Sequence, residues 1–78
     1  MGTVYLLAGN FVTGDVKHTV VRNDDEEIAK AIGLFMGDLG RDHFFWEIYN
    51  TAQSLDVREV QFNNRLERAR EEFMEQAA

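Results

Sequence analysis

"TAQSLDVREVQFNNRLERAR", residues 51–70, fits two periodicities, and the fold depends on which one holds. One reading is a helix, a turn and a second helix carrying Arg65, Arg68 and Arg70. The other is a strand over "LDVREVQFN" (55–63) that leads into a helix whose arginines are solvated surface. The first makes the chain a reader of DNA. The second makes it an acidic module that binds protein.

The charge count favours the second. Eight basic residues stand against 14 acidic ones, a net charge of −6 shared equally by the two halves. Nucleic-acid affinity comes mainly from neutralising phosphates, and this chain has no surplus of cations to do so. An acidic surface is instead drawn to basic protein surfaces. Seventy-eight residues make a single domain, 1–78, with a stability of about 4–12 kcal/mol. The composition is 45% apolar with no proline, enough for a compact core and against disorder. With no cysteine, disulfides and thiolate metal sites are excluded, and the cytoplasm is the simplest setting. No apolar run approaches the roughly 18 residues of a membrane span, and no basic-then-apolar N-terminal segment marks a signal peptide.

"TVYLLAGNFV" (3–12) and "VKHTVVRN" (16–23) flank "TGD", which predicts a β-hairpin. Gly9 interrupts the first run and suggests a bulge or bend. "NDDEEIAKAIGLFMGDL" (23–39) predicts a helix, with Asn23 or Asp24 as N-cap and Glu26 or Glu27 in capping-box position. Its stripe is Ile28, Ile32, Phe35, Met36 and Leu39, and Gly40 closes it. Gly33 and Gly37 are costly in a helix, and close packing on the sheet is the simplest reason for them. "DHFFWEIYN" (42–50) fits a strand, or a helix with Phe45, Ile48, Tyr49, Ala52 and Leu55 as its stripe, and aromatic and β-branched density favours the strand. "NRLERAREEFMEQ" reads as a helix with Leu66, Ala69 and Phe73 inward and Phe62 near its start. The expected fold is therefore α+β in two layers: an antiparallel sheet of three or four strands carrying two helices, ordered ββα–ββα or ββα–β–α. A short echo between "DVKHTVVRND" (15–24) and "DVREVQFNNR" (56–65) favours the first order.

No constellation for catalysis emerges. His18 and His43 lack the spacing of a zinc site. Asp24, Asp25, Glu26 and Glu27 are adjacent on a helix and do not face one another. "GDLG" (37–40) matches no phosphate-binding loop. No enzyme, metal or cofactor is expected. The aromatic block "HFFWEIY" (43–49) supplies core, and one of its two faces is a candidate interface, because Trp and Tyr are common anchors.

Ala52, Leu55, Val57, Phe62, Arg65, Leu66, Arg68, Ala69 and Arg70 resemble the helix-turn-helix of bacterial sigma factor region 4. That resemblance covers some 20 of the 78 residues and departs from its pattern at Asp56, where glycine is usual. It implies a regulator with Asn63, Asn64 and Arg65 toward the major groove and Arg68 and Arg70 near phosphates. In general character, though not in any motif, the whole chain resembles small acidic inhibitors of bacteriophages: anti-CRISPR proteins, DNA-mimic restriction inhibitors and RNA-polymerase inhibitors. That resemblance implies a viral protein acting in the host cytoplasm on a nucleic-acid-handling protein with a basic surface. Direct DNA binding and membrane contact are not expected, and a homodimer is compatible with it. The expected acidic contacts are Asp24, Asp25, Glu26 and Glu27, with Glu67, Glu71, Glu72 and Glu75. Trp46 and Tyr49 are the expected anchors. An accessory subunit of a larger assembly is the remaining alternative.

Overall fold

The computed structural model of the protein describes residues 2–77. In chain order it contains β1 (Thr3–Asn10), β2 (Val16–Arg22), α1 (Asp25–Leu39), β3 (Phe44–Asn50) and α2 (Leu55–Ala77). The strands form one antiparallel sheet in the order β2-β1-β3. The described residues are thus α+β, with three strands and two helices in the order ββα–β–α.

The strand expected at 55–62 is helix instead, and so is everything from Leu55 to Ala77 without a break. Both readings of the deciding stretch are thereby corrected, since a helix-turn-helix needs a turn that α2 does not contain. The stretch satisfied two periods at once, and burial selects between them. Leu55, Phe62 and Leu66 recur at helical spacing and all pack toward the sheet, Phe62 completely buried. Val57 and Val60, which an alternating strand would have paired, lie exposed on the outer side of α2.

Strand β1 explains the layering. "VYLLAG" (4–9) is apolar at nearly every position, the mark of a central strand covered on both faces. Leu7 stands opposite His18 and Glu47. Both neighbours reach α2, His18 through Glu59 at 3.6 Å and Glu47 through Arg65 at 3.0 Å. The alternate positions point the other way: Lys17, opposite Ala8, meets Asp38 of α1 at 3.1 Å. One helix therefore covers each face. The expected two-layer packing is corrected to three layers, because β1 has large side chains on both sides to bury. The helices are also offset. α1 lies mostly over β2 and β1, while α2 lies over β1 and β3.

The glycines exchange their expected roles. Gly9 sits in regular pairing with Val16 and Phe45, with no bulge. A Cβ there would meet the Asp15 carbonyl oxygen at 3.0 Å, Leu66 Cδ1 at 3.1 Å and Phe62 Cε2 at 3.3 Å. Its bare backbone is what lets α2 approach the sheet. Gly33 and Gly37, expected in close packing, face open space. Gly40 closes α1 as expected, at φ 92°. Asp24 occupies the N-cap position, but its side chain makes no capping hydrogen bond.

Asn10 ties the upper end of the molecule together. Its Nδ2 donates to the carbonyls of Leu39 (3.1 Å) and Asp42 (3.2 Å). Its Oδ1 accepts from the amides of Val12 (2.9 Å) and Thr13 (3.0 Å). One buried side chain thus joins the end of α1, the approach to β3 and the hairpin.

Candidate functional site

The ten residues expected at an interface do not share one surface. Asp24, Asp25, Glu26 and Glu27 are exposed at the start of α1, near the Arg22 end of β2. Glu67, Glu71, Glu72 and Glu75 are exposed on the second half of α2, which runs toward the Asn10 end of β1. The two groups lie on opposite faces of the sheet, separated along it by roughly the 23 Å of a seven-residue strand. The expected acidic contacts thus form two separate clusters.

Trp46 and Tyr49 are likewise divided. Three positions apart on β3, they point to opposite faces. Tyr49 packs with Leu7, Phe62 and Leu66, and its hydroxyl is buried with no hydrogen-bond partner among the described residues. Burial raises its pKa above the usual tyrosine value, with Glu47 adding to the rise and Arg65 and Arg58 opposing it. The Arg58 guanidinium lies 5.3 Å from the ring centroid. Tyr49 is a core residue that α2 covers, whereas Trp46 is 42% exposed on the face α1 leaves open.

The arginines of the helix-turn-helix resemblance are partly engaged within the molecule. Arg65 pairs with Glu47. Arg70 Nε donates to the Phe11 carbonyl at 2.8 Å, and its Nη1 lies 4.0 Å from Glu67.

A different site forms where α2 outruns the sheet. Its 23 residues span about 34 Å, well beyond strands of seven or eight residues. The last turns project past the hairpin, held by edge-to-face contacts. Phe73 lies 5.6 Å from Phe11 and 4.7 Å from His43, and those two rings are 5.4 Å apart. His43 holds a left-handed backbone, φ 67°, just before β3, a conformation a non-glycine residue adopts at some cost. Above this aromatic base, Val12, Phe73 and Met74, with Arg70, line a cleft of ≈ 400 Å³. Met74 is 62% exposed. Glu71 neighbours Met74 at helical spacing, whereas Glu72 and Glu75 are exposed on other flanks of the same turns.

Sequence reasoning placed Phe73 in the core and did not single out Val12 or Met74. The available signal was length, since a helix longer than the strands it covers must leave its last apolar residues without a sheet beneath them. Among the described residues, no group of three or more His, Asp or Glu side chains is placed to hold a metal ion. No described helix is long and apolar enough to cross a membrane. No protein-family model, curated protein or solved structure matches the chain.

Proposed function

We propose that this chain is a small, non-catalytic protein-binding module that occupies a basic surface of a nucleic-acid-handling protein, as small acidic phage inhibitors do. The observation that carries the reading is the projecting end of α2. There Val12, Phe73 and Met74 expose apolar area on turns that also carry the exposed Glu71, Glu72 and Glu75, in a chain of net charge −6. Interfaces of this kind divide the work. Charged rims steer encounter and exclude wrong partners, while desolvated apolar anchors supply most of the affinity. Met74 suits an anchor because its flexible thioether adapts to an irregular partner surface. Tyr49 leaves the set of anchors because the fold already uses it, and Trp46 lies on the far side of the sheet from this cluster.

The test is capture from a bacterial lysate by the immobilised protein, read by mass spectrometry beside two variants. One is Met74→Asp; the other replaces Glu71, Glu72 and Glu75 with glutamine. The reading expects nucleic-acid-handling proteins in the wild-type capture and their loss with both variants. With a purified target, association slows as salt rises, since screening acts over about 8 Å at physiological ionic strength. Met74→Asp instead speeds dissociation. Capture unchanged by both variants, or a gel shift of duplex DNA at nanomolar protein, would overturn the proposal.

A further inference from the structure

Strand β3 is an edge strand with an open side, and the side chains flanking that side differ in kind. The Phe11 amide donates to the His43 carbonyl at 3.1 Å, so alternation in an antiparallel pair directs residues 45, 47 and 49 to β1. The backbone groups of Phe44, Trp46, Ile48 and Asn50 then point outward. Asn50 agrees with this, because its carbonyl accepts from Arg58 Nε, on the outer side, at 3.3 Å. No other hydrogen bond from a described residue occupies the outward groups of Trp46 and Ile48. Edge strands are usually guarded by lysine, proline or a bulge. β2 carries Lys17 and Arg22; "FFWEIYN" (44–50) has only Glu47.

On the α2 side of this edge runs a groove of ≈ 470 Å³ lined by Tyr49, Arg58, Gln61, Asn64, Arg65 and Arg68. Three of the chain's eight cations thus gather at one place in an acidic protein. Arg68 has no ion-pair partner among the described residues. Glu47 offsets Arg65, and Glu72 stands near Arg68 at the groove's far end. On the α1 side lie Ile48 and half-exposed Trp46.

We propose that β3 receives an extended peptide strand whose side chains alternate between carboxylates toward the arginine groove and apolar groups over Trp46 and Ile48. Backbone pairing supplies attachment and alternate side chains supply selectivity, as in strand addition generally. The period of two fixes the pattern. Positions opposite Phe45 and Tyr49 carry the carboxylates, about 13 Å apart, against about 15 Å along α2 from Arg58 to Arg68. The position opposite Glu47 is uncharged, since like charges directly opposed are unfavourable. Positions opposite Trp46 and Ile48 are apolar. This surface is separate from the projecting end of α2, so either proposal stands or falls without the other.

The test is fluorescence anisotropy with a labelled nine-residue peptide centred on Glu-Val-Thr-Val-Glu. Replacing both glutamates with glutamine is expected to weaken binding about tenfold, and Arg68→Glu to weaken the parent peptide to a similar degree. Arg68→Glu leaves the glutamine peptide unchanged. N-methylation of the amides that face β3 abolishes binding, whereas methylation of the alternate amides does not. Trp46→Ala weakens binding without changing the dependence on charge. Equal loss from both methylation patterns, or no loss from either, overturns strand addition. A single-stranded oligonucleotide that binds through Arg68 while the peptide does not makes the groove a nucleic-acid site and also overturns it.

Discussion

Gly9, Gly33 and Gly37 should answer the same substitution with opposite signs. In Gly9→Ala the new methyl meets a backbone carbonyl at 3.0 Å and two core side chains at 3.1 and 3.3 Å. The Leu66 methyl can yield by a few tenths of an ångström. The Asp15 carbonyl belongs to the hairpin, where the Asn10 amide donates to it at 2.9 Å, so it cannot retreat without straining that bond. Overpacking of this kind costs about 1–3 kcal/mol, less up to about 1 kcal/mol recovered because alanine suits a strand better than glycine. With three contacts at 3.0–3.3 Å the overpacking falls in the middle of that range, about 2 kcal/mol, which leaves a net loss of about 1–2 kcal/mol. In a domain of this size each kcal/mol moves Tm by roughly 4–8 °C, so Gly9→Ala should melt about 4–16 °C below wild type. Gly33→Ala and Gly37→Ala add a methyl into open space on a helix and gain about 0.5–1 kcal/mol each, raising Tm by roughly 2–8 °C. Thermal melts followed by circular dichroism on the three variants decide the matter. A neutral or stabilised Gly9→Ala, or a loss at Gly33, would refute the claim that α2 rests on Gly9 while α1 has free space beside its glycines.

Other expectations follow from the same packing. Phe62→Ala should cost about 3–5 kcal/mol, a large share of the total stability, and urea unfolding should show the midpoint collapse while Val60→Ala barely moves it. Asn10→Ala breaks four hydrogen bonds and should cost about 2–4 kcal/mol, with hydrogen exchange speeding first at the Val12 and Thr13 amides. Tyr49→Phe removes a buried hydroxyl that has no partner among the described residues and should be neutral or stabilising by up to about 1–2 kcal/mol. The raised Tyr49 pKa means the folded state holds that proton more tightly than the unfolded chain. Its contribution is complete below the unfolded value of about 10 and is lost as pH rises through the folded value. Wild-type stability should therefore fall above about pH 10 more steeply than that of Tyr49→Phe, read by urea titration at each pH.

Local signals were enough for the hairpin and α1, and they favoured a strand over a helix for β3. Strict alternation in "VKHTVVRN", the acidic start and Gly40 stop of α1, and the aromatic density of "FFWEIYN" each state their element within a few residues. The α+β class follows from those elements, whereas the order ββα–β–α, as against ββα–ββα, turned on residues 55–62. Residues 55–62 were not legible in this way, because "LDVREVQF" offers apolar groups at both strand and helix spacing. Only a surface to bury against makes one period better than the other. β1 and β3 provide it, taking Phe62 and Leu66 and leaving Val57 and Val60 in water. The same long-range contacts decided the layering. The apolar run of β1 demanded cover on both faces, but which helix covers which face depends on chain reversals that no local pattern records. The candidate site divides similarly. The abundance of carboxylates is a property of composition. Their separation into two clusters and the withdrawal of Tyr49 into the core were set by which face of the sheet each helix covers, and the exposure of Met74 by the length of α2 against the shorter sheet beneath it.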